Sequence, residues 1–581
     1  MEITFQSVLP NIRSGGIVLN HIKFGMITRE IVLVMMALAV IGFGRAPLKA
    51  QNITITGMVK DTSGQPVVGA LIKVRSEELG LAFMVVSQTR GRYSTPNLLP
   101  GKYTVQGFGV DYQSGFIGPV EVRRNQHGKM DLTLSIPLML PPPHKPMTDA
   151  DYAKLMPEGN GKSAVVSRCA TCHSLQWLVS ARKTPEKWQE TVGRMRDDLQ
   201  GRGRPLNEIS AEADLIQLDT MTDYLAKNFT PDVPVDPRVV AQWLLHPGGP
   251  SHPNRNLPGI LLEGAAASVA MEFSLPPNSM PHDIAVDSDG IAWVSETKTG
   301  MLGRFDPTSL TYIRVSPPVA KDRKVQLNSV AVDAKGHVWF VDDGPNARML
   351  QYNPMIEEFD TYPLPEYRYP IPPDSTPARL VTLRFLEGNV WATGITANWI
   401  VQLEPSTRKT TEYPVPKGSS PYGLAIGGDH RVWYAAEVGN LVGRLDPATG
   451  RITYYNVPTA KSEVRGMAAD AEGNLWVAAT ESGKLLKVDF RNGIFTEFNP
   501  PSQDSGPYSV DVDTKRNLIW FSEIYADKIA RFDPQTNTFI EFPLPSSDLD
   551  VRRIEIDRSN PNRVWWSGGQ ADKIGYIEVI E

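Results

Sequence analysis

Tryptophan recurs along the C-terminal half of this 581-residue chain, at Trp293, Trp339, Trp391, Trp433, Trp476, Trp520 and Trp565, with spacings of 42 to 52 residues. Each lies in a short run of strand-forming residues: AWVSE, VWFVD, VWATG, VWYAA, LWVAA, IWFSE and VWWSG. An alternating segment precedes each run, usually through a turn such as Asp289-Gly290 or Glu472-Gly473. A segment such as MLGRFDP, LVGRLDP or KIARFDP follows, and then one such as TEYPVP or EFPLP. A unit this short cannot bury its apolar face alone, whereas repeated neighbours can. Four strands at this period, seven times over, predict a seven-bladed β-propeller over residues 272–581. The last repeat ends at KIGYIEVIE without a fourth strand, and an orphan strand, Glu272-Phe273-Ser274-Leu275-Pro276, precedes the first. Pairing of these two segments is expected to lock the ring.

The rest of the chain is long enough for further domains. The 47 glycines and 48 prolines favour a mainly β, turn-rich protein. A net charge of −5 gives no basic footprint for nucleic acid, so none is expected as a partner. Near the N-terminus, Ile31 to Gly44 form one apolar run, preceded by Arg29 and followed by small residues to Ala50. That is the layout of a secretory signal over residues 1–50, with cleavage near Ala50-Gln51 and a more ordinary start at Met26. An uncleaved anchor is the alternative, and it would be the only contact with a membrane. Either way the mature chain is expected in the periplasm or another extracytoplasmic space.

Residues 53–136 contain short alternating segments, among them ITITGMVKD, ALIKVRS, AFMVVSQT and KYTVQGFGV, separated by Gly and Pro turns. They predict a small β-sandwich. Gly57-x-Val59, Asp61-x-x-Gly64-x-Pro66, Gly69-Ala70, Gly91-x-Tyr93 and Leu99-Pro100-Gly101-x-Tyr103 resemble the carboxypeptidase regulatory-like domain. The resemblance implies a spacer or adhesion module. Residues 137–146 (PLMLPPPHKP) read as a proline-rich linker.

Residues 147–232 are helical in pattern and contain the only two cysteines of the chain, in Cys169-Ala170-Thr171-Cys172-His173. C-x-x-C-H is the c-type haem attachment pattern, in which both thiols bind the porphyrin and the imidazole is an axial ligand. The alternatives are a structural disulfide, a redox dithiol or half a zinc site; a zinc site would need more Cys or His at ligand spacing, and a thioredoxin-like dithiol a βαβ context. Thr184 is a candidate N-cap with Pro185 in the first turn. Leu215, Leu218, Met221 and Leu225 then recur at helical spacing. Met195 and Met221 are the candidates for a sixth, thioether ligand. Met195 lies seven residues after Trp188, on the same helical face, and the last helix carries Tyr224-Leu225. These features resemble the single-haem domains of quinohaemoprotein and sulfite-type dehydrogenases, which implies Met195 as the ligand and a redox partner protein. Residues 233–271 read as a Pro-, Gly- and Asn-rich linker. The expected architecture is therefore a β-sandwich, an α-helical cytochrome c domain with one covalent haem c, and the propeller.

Aligning the starts of the seven innermost strands brings His282, Asn328, Arg379, Tyr422, Arg465, Tyr508 and Arg552 to one channel mouth. Such a ring suggests an electropositive pocket for a small anionic ligand, or a salt-bridged channel. Glu296, Asp342 and Glu523 end Trp-bearing strands near the same face. The W-x-[SV]-E/D, G-R-[FL]-D-P and T-E-Y/F-P-x-P strands resemble the streptogramin (virginiamycin B) lyase family. That resemblance implies elimination at a His–Glu set with Mg2+, here His282 and Glu296. The sequence departs from the family at Arg552, where a second His is expected, and at Met280, where an acid is expected. Three functions follow: an extracytoplasmic electron-transfer cytochrome with a ligand- or partner-binding propeller; a lyase-like or oxidoreductase enzyme at the channel mouth; or a non-enzymatic envelope module.

Overall fold

The computed structural model describes residues 53–137, 149–239 and 267–580, apart from 110, 124–126, 170–174, 190, 194–210, 320–324, 343–347, 365–379, 396, 417 and 570. From 281 onward, six four-stranded antiparallel sheets follow one another in chain order. The seventh blade is composite. Its inner three strands are Val551–Ile556, Arg563–Gly568 and Lys573–Val579, and its fourth is Ser268–Ser274. The pairing Phe273↔Ile574 lies at the centre of that closure. The innermost strand of each blade packs on the next, and the last on the first, so the ring is complete. The closing strand begins at Ser268, which moves the propeller boundary from 272 into the expected linker.

The repeated motifs have local physical causes. In five blades the buried Trp indole N–H is accepted by an aspartate of the preceding turn, as from Trp293 to Asp287 at 2.9 Å and from Trp476 to Asp470 at 3.0 Å. An unpaired buried N–H would cost about 1–3 kcal/mol. The cation of the following strand lies across the indole, Arg304 over Trp293 at 5.9 Å and Arg444 over Trp433 at 5.8 Å. The aromatic of the T-E-Y/F-P strand stacks on the other side, as Tyr413 does on Trp391 at 5.6 Å. Gly303 and Gly443 are required because a Cβ there would stand 1.9 Å from the Tyr312 hydroxyl and 2.0 Å from the Tyr434 ring.

Residues 53–137 form the expected two-sheet sandwich. Ile55–Asp61 pairs with Arg92–Ser94, Gly128–Lys129 and Leu132–Leu134. Leu71–Ser76 lies between Leu81–Val86 and Gly101–Phe108. Val59, Ile72, Val74, Phe83, Tyr103, Val105 and Leu132 fill the core. Tyr93 and Tyr103 donate to the carbonyls of Met130 (2.7 Å) and Leu99 (2.8 Å), which ties the turns down. This domain is not separated from the propeller as a spacer would be. Its strand Leu81–Val86 pairs antiparallel with Ser268–Ser274 from Val85↔Val269 to Leu81↔Phe273. The sandwich sheet thus runs without a break into the closing blade, and the outer edge of that blade is covered.

Between the two β regions lie helices Asp149–Leu155, Lys162–Cys169, Leu175–Ser180 and Ala211–Asn228. Val165, Leu175, Leu178, Trp188, Met221, Tyr224, Leu225 and Phe229 share one buried core. Thr184 accepts from the Lys187 N–H at 3.3 Å, as an N-cap does. The start of Lys162–Cys169 approaches Ala211–Asn228 closely because Gly161 has no side chain: a Cβ there would be 2.5 Å from the Thr220 carbonyl.

Candidate functional site at the propeller channel

Every innermost strand of the propeller carries a register shift near its start, for example between Pro281 and Ile284 and between Val551 and Arg553. A bulge turns consecutive residues toward the same side. Each blade thereby offers the channel two successive side chains, and a third two residues on. Counted from the tryptophan pairings, the first layer is His282, Asn328, Val381, Tyr422, Arg465, Tyr508 and Arg552. Val381 takes the place expected for Arg379, because the bulge in that blade falls between Leu380 and Thr382. Arg379 itself lies outside the described residues. The second layer is Asp283, Ser329, Thr382, Gly423, Gly466, Ser509 and Arg553, and the third contains Arg384, Asp511 and Glu555. Backbone groups freed at the bulges are bonded by hydroxyls two residues beyond the tryptophans. Ser295 accepts from the Asp283 N–H (3.0 Å), Thr393 donates to the Tyr422 carbonyl (2.6 Å) and Ser567 to that of His282 (2.9 Å).

The first layer meets across the channel. The Tyr422 and Tyr508 hydroxyls are 2.5 Å apart. The Arg465 guanidinium lies over both rings, 5.8 and 4.9 Å from their centroids. Burial pushes the Tyr422 phenol well above its ordinary range, and Tyr508 adds to this. The mouth cations are not bare. Arg465 pairs with Glu437 (3.0 Å) and Glu463 (2.8 Å), and Arg552 with Asp550 (2.7 Å). Burial opposes the Arg465 charge, but Glu437, Tyr508 and Glu463 hold its pKa well above the ordinary value. Burial raises Glu463 to about 7, against the pull of Arg465.

His282 and Glu296 have separate hydrogen-bond partners. His282 is buried, and its Nδ1 lies 2.9 Å from Asp283 Oδ1. The fully buried Glu296 carboxylate accepts from the Tyr312 hydroxyl (2.7 Å), Arg314 Nε (2.9 Å) and the Thr299 hydroxyl (2.5 Å). Tyr312 and Arg314 belong to the outer strand of the same blade, so this carboxylate is held away from the channel. Asp342 is likewise paired with Arg348 (3.0 Å), and Glu523 accepts from Ser505 (2.6 Å). Among the described residues no three His, Cys, Asp or Glu side chains converge as a metal site. Of the haem motif, only the backbone of Cys169 is described, as the last residue of its helix; Cys172, His173 and Met195 lie outside the described residues.

Five further channel residues were not singled out by the sequence: Asp283, Thr382, Arg384, Ser509 and Arg553, which line a partly open cavity with Tyr422, Tyr508 and Arg552. Arg384 donates to the carbonyls of Leu383 (2.8 Å) and Met467 (3.5 Å). Burial, and then Arg553, lower its pKa to about 10. Counting two residues along the strand from the bulge would have found Arg384, had the bulge been visible.

Comparison with known proteins agrees with this architecture. Residues 366–581 match the virginiamycin B lyase family model, and residues 54–135 match that of the carboxypeptidase regulatory-like domain. No curated protein matches the chain. A streptogramin B lyase structure is 24% identical over 55% of this chain and 100% of its own, with a TM-score of 0.49. A selenomethionine-substituted virginiamycin B lyase from Staphylococcus aureus is 23% identical over 54% of this chain and 100% of its own, with a TM-score of 0.47. The chain is therefore a mainly β, multidomain protein with a carboxypeptidase regulatory-like domain and a virginiamycin B lyase-like β-propeller.

Proposed function

We propose that the chain is an extracytoplasmic c-type cytochrome whose propeller is its ligand- or partner-binding domain. The observation that carries this reading is Cys169-Ala170-Thr171-Cys172-His173, formed by the only two cysteines of the chain. Cys169 and Cys172 would hold haem c covalently, with His173 and Met195 as axial ligands and Met221 as the alternative sixth ligand. The donor set fits: two thiols, an imidazole and a thioether are the side chains such a group takes. So does the surrounding composition, because Val165, on the helix that ends at the first thiol, shares an apolar core with Met221 and Leu225. When bound, the haem supplies a one-electron couple, and a thioether ligand raises its potential relative to two imidazoles. Residues 1–50 would direct export, which c-type attachment requires in bacteria, and a redox protein would be the partner.

The test is the absorbance spectrum of protein exported in a host competent for c-type maturation. Pigment should stay with the denatured chain and be lost in Cys169→Ser and Cys172→Ser. Absence of covalent haem in the parent protein would falsify the reading. Met195→Ala should change the reduced spectrum; an unchanged spectrum transfers the assignment to Met221. A second reading, lyase-like or oxidoreductase chemistry at the channel mouth, draws on the family match over 366–581, which does not reach His282 or Glu296. It asks His282 to act as base, with Glu296 or a magnesium ion. The engagement of Glu296 by Tyr312 and Arg314 weighs against it.

A further inference from the structure

The second and third layers of the channel carry two guanidinium groups, Arg384 and Arg553, and three carboxylates, Asp283, Asp511 and Glu555. Arg384 and Arg553 both line the cavity, on blades three and seven. Each carboxylate facing them is already engaged. Asp283 is bonded by His282 (2.9 Å) and Ser329 (3.0 Å). Asp511 accepts from the backbone N–H groups of Val512 (2.9 Å) and Ile556 (2.8 Å). Glu555 accepts from the Val286 N–H (3.2 Å) and, at a long 3.4 Å, from Arg553. Among the described residues Arg384 finds two backbone carbonyls, and no carboxylate pairs with it. Among the described residues, the buried Arg553 Nε has no acceptor. Two guanidinium groups in one confined space repel each other, and unmet buried donors are costly. One bound anion would relieve both effects, and a planar carboxylate matches the guanidinium fork in two-point geometry.

We propose that the cavity between Arg384 and Arg553 binds a carboxylate, either a small free one or the acidic end of a larger ligand. The site lies beneath the tyrosine pair, where Arg553 has only its 3.4 Å pair with Glu555, whereas Glu437 (3.0 Å), Glu463 (2.8 Å) and Asp550 (2.7 Å) hold the mouth arginines, Arg465 and Arg552. Thr382 and Ser509 flank it and supply hydroxyls. This inference rests on the reading of the propeller as a ligand-binding domain and is independent of the haem.

Titration calorimetry of the full chain at fixed ionic strength, with formate and with benzoate, tests it. Saturable binding of formate is expected, weakened at least tenfold in Arg384→Met and in Arg553→Met, and unchanged in a variant of the exposed Arg451, Arg451→Met. Tighter binding of benzoate assigns the site to the end of a larger ligand; binding of formate alone assigns it to a free anion. Melting of each variant without anion is recorded alongside. Arg384→Met is expected to melt no lower than the parent, because it removes like-charge repulsion. No saturable binding of either probe, or equal affinity in a folded Arg384→Met, would overturn the proposal. The absorbance of the same samples reports on the haem separately, so failure here leaves the cytochrome reading standing, and the reverse also holds.

Discussion

Glu272 occupies the seam at which the sandwich, the first closing strand and the last strand meet, and its removal should open that seam before anything else. Its side chain is 1% exposed. It accepts from Ser546 at 2.7 Å and from Lys573, which also donates to Ser546 at 3.0 Å. On the sandwich side, burial and then Arg75 lower Lys73 to about 8, and Glu272 opposes that fall. Glu272→Ala leaves Lys573 without its counter-charge. Breaking a buried pair costs about 3–5 kcal/mol. Lys573 keeps about a fifth of its side chain in solvent and retains Ser546, which brings the cost to the bottom of that range or just below it, about 2–3 kcal/mol. Because 1.4 kcal/mol is a factor of ten, amide exchange in Ser268–Ser274, Leu81–Val86 and Lys573–Val579 should speed up roughly 30- to 140-fold. Exchange in a distant blade, such as Leu441–Leu445, should be unchanged. Hydrogen–deuterium exchange with mass spectrometry reads each segment separately, which suits a multidomain chain that need not unfold in two states. A less than threefold change at the seam, or an equal change in the distant blade, would refute the argument. Replacing Glu272 and Lys573 together by methionine should restore most of the protection, since a well-packed apolar pair can replace a buried ion pair at little cost.

Gly443→Ala should destabilise its blade by about 1–3 kcal/mol, since a methyl group would collide with the buried Tyr434 ring; denaturant unfolding followed by tryptophan fluorescence checks this. Ser295→Ala removes the acceptor of the Asp283 N–H and the donor to the Asn328 carbonyl, and should lower stability by about 1–3 kcal/mol in the same assay. Burial raises Glu523 to about 8, and Glu541 contributes. A carboxyl raised on folding favours the native state while protonated, so its contribution is complete below the ordinary carboxylate range and is lost as pH rises through about 8. The melting temperature should therefore fall between pH 5 and pH 9, and Glu523→Gln should flatten that slope; an unchanged slope in the variant would remove Glu523 as its cause.

The number of blades, the strand carrying each tryptophan and the closure of the ring were legible because their causes are local or periodic. The Asp287–Trp293 bond spans six residues, Arg304 faces Trp293 across one hairpin, and the repeat length dictates the rest. The glycine, proline and tyrosine positions of the sandwich were legible for the same reason. The channel was only partly legible. A one-residue bulge near the start of each inner strand decides which side chains face inward, and in blade three it exchanges Arg379 for Val381. Backbone register of this kind leaves little trace in composition, because the bulged residues themselves differ from blade to blade. Charge partners were hidden by distance along the chain: Arg465 finds Glu437 28 residues away, and Ser546 finds Glu272 274 residues away. The residue types at the mouth announced an electropositive ring, yet tertiary packing neutralised Arg465 and Arg552, turned Glu296 toward Tyr312 and Arg314, and left Arg384 and Arg553 together deeper in the channel. Tertiary structure alone decided that Leu81–Val86 would extend the closing blade, since the edge of a strand becomes a partner only where the fold brings another edge beside it.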